Sequence, residues 1–91
     1  MTIRVELYGI PRQRANTDTV LVQTGSKPMR LADVLRDLAA RYPELAAACF
    51  DGERLQSSYV ANLGGERFVS DPETTLRAGD SLLIMSADAG G

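Results

Sequence analysis

A single amphipathic stripe constrains this chain more than any other feature. Leu31, Val34, Leu35, Leu38, Ala39 and Tyr42 fall at i, i+3, i+4, i+7, i+8 and i+11, the spacing that turns one face of an α-helix into a core. Arg30, Asp33, Arg36, Asp37 and Arg41 occupy the other face, with Asp33 near the positive end of the helix dipole and Arg41 near the negative end. Pro43 stops the pattern. Met29 and Arg30 stand where Ser, Thr or Asp would cap the first turn, so the sequence sets the start of the helix only to within a few residues.

The segments on either side have a different period. Ile3, Val5 and Leu7 alternate with Arg4, Glu6 and Tyr8, as in a strand covered on one face. Gly9 and Pro11 end it, the stretch from Arg12 to Asp18 reads as a polar loop, and Thr19 to Gln23 has the β-branched content of a second strand. Beyond the helix, Glu44 to Cys49 is a candidate helical turn, Asp51-Gly52 marks a turn, and Glu53 to Ser58 reads as loop. Ser58 to Asn62 and Glu66 to Val69 are two strands joined through Leu63-Gly64-Gly65. Asp71-Pro72 and Ala78-Gly79-Asp80 turn the chain into a last strand, Ser81 to Met85.

The order is strand, strand, helix, strand, strand, strand, with one main helix to cover one face of a sheet. That order predicts an α+β roll of the β-grasp, ubiquitin-like kind, built on a mixed sheet of four or five strands. The expected division is a β-grasp domain over 1–85 and a flexible tail over 86–91, because Ser86 to Gly91 is small, polar and unpatterned.

Ninety-one residues make one domain and disfavour a deep enclosed active site, so the expected protein is a co-substrate or small subunit and not an enzyme. Twelve acidic and ten basic residues, net −2, are scattered without the clustered Lys and Arg that phosphate backbones require. Nucleic acid and membrane are not expected partners, and the expected location is cytoplasmic. One Cys and no His remove the intrachain disulfide, the commonest metal ligand and the commonest general base. No bound cofactor or metal is expected. Cys49, set in an apolar stretch, reads as a small core hydrophobe.

What remains for chemistry is the tail. Gly90-Gly91 follows a hydrophobic strand and a short linker. Glycine's lack of a Cβ lets bare backbone thread a channel too narrow for other residues. A C-terminal carboxylate with a pKa of about 3.5 is ionised at neutral pH and a poor acyl acceptor. Joining it to AMP at the expense of ATP would make a mixed anhydride that a persulfide or thiolate sulfur attacks.

The tract from Asp71 to Gly91, with Leu76, Ala78-Gly79-Asp80, Leu82, Ile84 and Ala89-Gly90-Gly91, resembles the ubiquitin-like sulfur-carrier family of the molybdopterin-synthase small subunit and thiamine-biosynthesis type. Val60-Ala61-Asn62 before the Gly64-Gly65 turn is similar as well. The resemblance implies that an E1-like enzyme, using ATP, adenylates Gly91, that Gly90 and Ala89 form the slender tail, and that the resulting thiocarboxylate donates sulfur to a synthase subunit in cofactor or metabolite biosynthesis. Many molybdopterin-type members carry prolines where this chain has Ser86-Ala87-Asp88-Ala89, and thiamine-type members tend to lack a loop like Ile10 to Asp18. The molybdopterin type is the favoured match, and the sulfur acceptor stays open. A ubiquitin-like modifier conjugated to lysines would share the first steps, and a non-catalytic interaction module is the third reading. Lys27 is the sole lysine, so self-conjugated chains would run through it or the N-terminus.

Along the last strand Leu82 and Ile84 share one face, Leu83 and Met85 the other. One helix is not expected to cover both faces of a sheet, so Leu83, Met85 and Tyr8 are expected on the uncovered face, where a partner docks, the alternative being a central strand buried on both sides. Arg12 and Arg14 read as solvated loop residues, and Gly52, Gly64, Gly65 and Gly79 as turn residues.

Overall fold

The computed structural model describes residues 1–90. Five strands form one sheet: β1 (Thr2–Leu7), β2 (Thr19–Gln23), β6 (Tyr59–Leu63), β7 (Arg67–Val69) and β9 (Ser81–Ser86), in the order β2-β1-β9-β6-β7. β1 and β9 run parallel at the centre and the other neighbours are antiparallel. Two minor ladders complete the strands, β3 (Met29–Arg30) with β8 (Thr75–Leu76) and β4 (Phe50–Asp51) with β5 (Arg54–Leu55). The main helix α2 spans Leu31–Arg41, with α1 (Ile10–Ala15) and α3 (Pro43–Cys49) as shorter companions and α4 (Ala87–Gly90) after the last strand. A mixed five-stranded sheet wrapped on one main helix is the β-grasp roll.

The core is the product of the two periods in the sequence. Ile3, Val5 and Leu7 of β1, Val20 and Val22 of β2, and Leu82 and Ile84 of β9 are buried on the side that receives Leu31, Val34, Leu35 and Leu38 of α2. Ala39 and Tyr42, the outer members of the helical stripe, are only partly buried against this cluster, and Tyr42 ends the helix. Cys49 is fully buried, and burial pushes its thiol pKa up. The Leu63-Gly64-Gly65-Glu66 reversal places both glycines at positive φ, 66° and 76°, the mirror-image turn whose twist suits a hairpin.

Three stretches differ from the sequence expectation. Residues 10–15, expected as loop, form α1, because Pro11 in the first turn fixes a helical φ and buries its ring while Ala15 closes the other end against the core. Arg54–Leu55, also expected as loop, pairs back on Phe50–Asp51 across the Gly52 turn. The last strand runs one residue further than its hydrophobic pattern, since Tyr59 pairs with Ser86 and the Ala87 N–H donates to the Ser58 carbonyl at 2.8 Å.

The start of α2 shows how a helix without a Ser, Thr or Asp cap is held. Leu31 N–H donates to the Thr74 carbonyl at 2.7 Å and Ala32 N–H to the Pro72 carbonyl at 3.0 Å, so a loop some forty residues away accepts from the first turn. Asp33 reaches back to accept the Arg30 N–H at 3.0 Å, and its other oxygen takes the Arg30 guanidinium at 3.0 Å. Those bonds hold the Asp33 carboxyl below the ordinary range. Asp33→Ala should cost about 1 kcal/mol, typical of a lost helix cap. Because the folded pKa is depressed, this stabilisation is present above the unfolded pKa near 3.8 and is lost as pH falls through the lower, folded value. Melting curves of the two proteins should therefore differ at pH 7 and converge in strong acid.

Candidate functional site

The helices lie on one face of the sheet, and the other face carries the side chains that alternate with the core. Register places them in rows across the strands. Glu6, Leu83, Asn62 and Phe68 form one row, since Glu6 pairs with Leu83, Leu83 with Asn62, and Asn62 with Phe68. Val60 pairs with Met85 in the next, and Tyr8 lies beside them, its N–H donating to the Ile84 carbonyl at 3.0 Å. Thr19 and Leu21 continue the face on β2.

Leu83, Met85 and Tyr8 thus share the face without the helices, on adjacent strands, as the alternation of β1 and β9 requires. Tyr8 is 42% exposed, whereas Leu83 and Met85 are half-buried between neighbouring strands. The difference follows from position: β9 is central, so side chains from β1 and β6 flank it. The Tyr8 hydroxyl donates to Glu6 Oε1 at 3.3 Å, and partial desolvation and the Glu6 charge raise its pKa.

The sequence reading missed Phe68, Val60 and Leu21 on this face. Phe68 is 60% exposed and Leu21 50%, among the most exposed large apolar side chains described. Phe68 was not accessible from the hairpin: a two-residue Gly64-Gly65 loop would set Arg67 opposite Asn62, whereas the observed register pairs Leu63 with Arg67 and so brings Phe68 opposite Asn62, on the side of Leu83.

Asn62 is the anomaly of the face. Its Oδ1 is buried with no hydrogen-bond partner among the described residues, between Leu83 on one strand and Phe68 on the other. An orphaned buried acceptor costs about 1 to 3 kcal/mol. Asn62→Leu should therefore raise the stability of the free protein, by about 1 kcal/mol, read as a higher denaturant midpoint at unchanged slope.

The tail leaves from the centre of this arrangement. β9 ends at Ser86 and the backbone of Ala87–Gly90 makes a single helical turn, with Asp88 exposed. Ala89 and Gly90, named above as the slender tail, belong to that turn, and Gly91 lies outside the described residues. Among the described residues no helix is long and apolar enough to cross a membrane.

No protein-family model matches the sequence, and no curated protein sequence matches it. Solved structures do. SAMP1, small archaeal modifier protein 1, from Haloferax volcanii superposes with a TM-score of 0.82 at 23% identity over 100% of both chains. A putative molybdopterin converting factor subunit 1 from Pyrococcus furiosus gives 0.76 at 19% identity over 94% of this chain and 97% of its own. A chain of the Amycolatopsis orientalis BexX/CysO complex gives 0.74 at 22% identity over 98% and 99%. At these identities the likeness establishes the fold, which spans nearly the whole length of each of these neighbours.

Proposed function

We propose that this protein is a sulfur carrier whose C-terminal glycine, Gly91, is adenylated by an E1-like enzyme and converted to a thiocarboxylate. One observation carries the reading: the central strand β9 presents Leu83 and Met85 on the uncovered face and leads directly into the segment that ends in Gly90-Gly91. Docking on that face and capture of the tail then become one event. The names of the structural neighbours, a modifier protein, a molybdopterin converting factor subunit and a member of a two-protein complex, support a small protein that works through partners.

The chemistry asks little of the carrier. A Gly91 carboxylate oxygen attacks the α-phosphorus of ATP in the partner, pyrophosphate leaves, and the acyl-adenylate holds an activated carbonyl. A persulfide sulfur of the partner attacks that carbonyl, AMP leaves, and a second thiol cleaves the S–S bond to leave the carbonyl carbon bonded to sulfur. The chain supplies the carboxylate, a thin backbone on either side of Gly90, and the face that positions both. The sulfur then passes to a synthase subunit, with the molybdopterin type favoured over the thiamine type.

Incubation with an E1-like enzyme, ATP and a persulfide donor should add to the C-terminus the mass of one sulfur less one oxygen, read by mass spectrometry of the intact chain. The modifier reading shares the adenylation. It differs in giving an isopeptide bond to a lysine, for which exposed Lys27 is the side chain in this sequence, and tryptic mapping separates the two products.

A further inference from the structure

The two edges of the five-stranded sheet are unlike. On β2, Leu7 N–H donates to the Asp18 carbonyl and Thr24 N–H to the Met1 carbonyl, so even-numbered residues face β1 and the backbone groups of Thr19, Leu21 and Gln23 face outward. Two of those carbonyls are occupied by side chains. The Thr17 hydroxyl donates to Thr19 at 3.2 Å, and Arg41 Nη2 donates to Leu21 at 3.0 Å while Asp37 holds the same guanidinium at 2.6 Å. A strand approaching β2 would have to displace an ion-paired arginine. This edge is closed.

On the opposite edge, Gly64 N–H donates to Ser81 and Ala87 N–H to Ser58, so even-numbered residues of β6 face β9. Asn62 therefore turns its backbone groups away from β7, and Phe68, directly opposite it, turns its own N–H and carbonyl outward. No hydrogen bond to either is formed among the described residues. Beside this edge lies a cavity of about 230 Å³, lined by Phe68, Val69 and Ala61 of the sheet, by Leu31 at the start of α2, and by Leu55 and Arg54 from the segment before β6. Its lining is mainly apolar, and Arg54 is its sole charged residue. Arg67, exposed next to Phe68, is balanced by the exposed Glu66 beside it, which leaves Arg54 as the charge that marks the cavity.

We propose that β7 is a docking edge for an extended segment of a partner protein, which adds a sixth strand by pairing with the Phe68 backbone, inserts one aliphatic side chain into the cavity, and places a carboxylate against Arg54. Backbone pairing supplies affinity and the cavity supplies specificity, the division of labour general to strand addition. Arg54, the sole charged residue of the cavity lining, selects an acidic segment over a basic one. This surface lies at the edge opposite β2 and does not depend on the role assigned to Gly91.

The probe is an acetylated, amidated peptide of sequence Glu-Val-Thr-Val-Thr-Glu, titrated into the full chain and followed by amide NMR. Shifts should be confined to residues 54–57 and 67–70, and exchange of the Phe68 amide should slow about tenfold or more at saturation. The same peptide with lysine at both ends should bind about tenfold more weakly. Phe68→Pro removes the outward N–H without touching the β6 ladder and should abolish binding, whereas Phe68→Ala keeps the N–H but loses one wall of the cavity, and should bind more weakly than the parent yet still detectably. Should Phe68→Pro fail to fold, the slowed Phe68 exchange in the parent still decides the matter. Shifts centred on β2 or on Leu83 and Met85, equal binding of the lysine peptide, no binding at millimolar peptide, or the same shifts on concentrating the protein alone, which would make a second copy the occupant, each overturn the proposal.

Discussion

Met85→Glu should weaken binding of the proposed adenylating partner by about 2 kcal/mol or more, roughly thirtyfold, with almost no change in melting temperature. The asymmetry comes from the two faces of β9. Met85 lies opposite Val60 on the face without helices, where a glutamate in the free protein turns its carboxylate to water. Once a partner covers that face the charge loses its hydration with no counter-ion described nearby, and the cost falls on the complex alone. Ile84→Glu is the internal control. Ile84 is 0% exposed and packed among Leu7, Leu82 and Ala61 on the core side, so the same charge one residue away should unfold the domain. Calorimetric titration together with thermal melts of the two variants checks both halves. If Met85→Glu melts as early as Ile84→Glu, the face is a second core and not a docking surface.

The parts of this fold legible in the sequence are those in which one periodic signal runs unbroken. β1, β2 and α2 each carry a clean alternation or stripe, and Thr19–Gln23 has the same bounds in sequence and structure. What escaped reading depends on residues far apart in the chain. α1 is six residues long with Gly9 and Pro11 at its start, too short to hold itself and dressed as a loop. It exists because Pro11 and Ala15 bury against the rest of the domain. Asp33 caps α2 locally, but the acceptors for the Leu31 and Ala32 N–H groups come from Thr74 and Pro72, and the blunted edge of β2 from Arg41. No local window contains those partners.

The face itself was half legible. Alternation along β9 assigned Leu83 and Met85 to one side, because a period of two admits no other arrangement once Leu82 and Ile84 enter the core. The rest of that face depends on strand order. Phe68 and Val60 become neighbours of Leu83 and Met85 only when β6 is known to lie between β9 and β7. The orphaned Asn62 acceptor is a consequence of the same neighbours and has no signature in sequence. It also separates two demands on one residue: Asn62→Leu should stabilise the free domain, so an asparagine kept there at a cost in stability is itself a reason to measure how Asn62→Leu binds the partner.

Deleting Gly91 should abolish sulfur loading and leave the fold untouched. The proposed reaction occurs at one carbon, the terminal carbonyl, and docking through β9 fixes how far along the backbone that carbon lies from the partner's nucleotide. Removing one residue draws the carboxylate back by roughly 3.5 Å, more than enough to lose alignment with the α-phosphorus. Adding one residue after Gly91 replaces the carboxylate at that point by an amide, which has no free oxygen to adenylate. Gly90→Val should also impair loading, since a β-branched side chain restricts the backbone and widens a tail that has to thread a narrow channel. Folding should not respond to any of these changes, because among the described residues the last buried core residue is Ile84. The measurement is intact mass after incubation with the E1-like enzyme, ATP and a persulfide donor, with melting temperature recorded in parallel. Loading of the truncated chain at the parental rate would remove Gly91 from the chemistry and leave a β-grasp domain that acts through its surfaces alone.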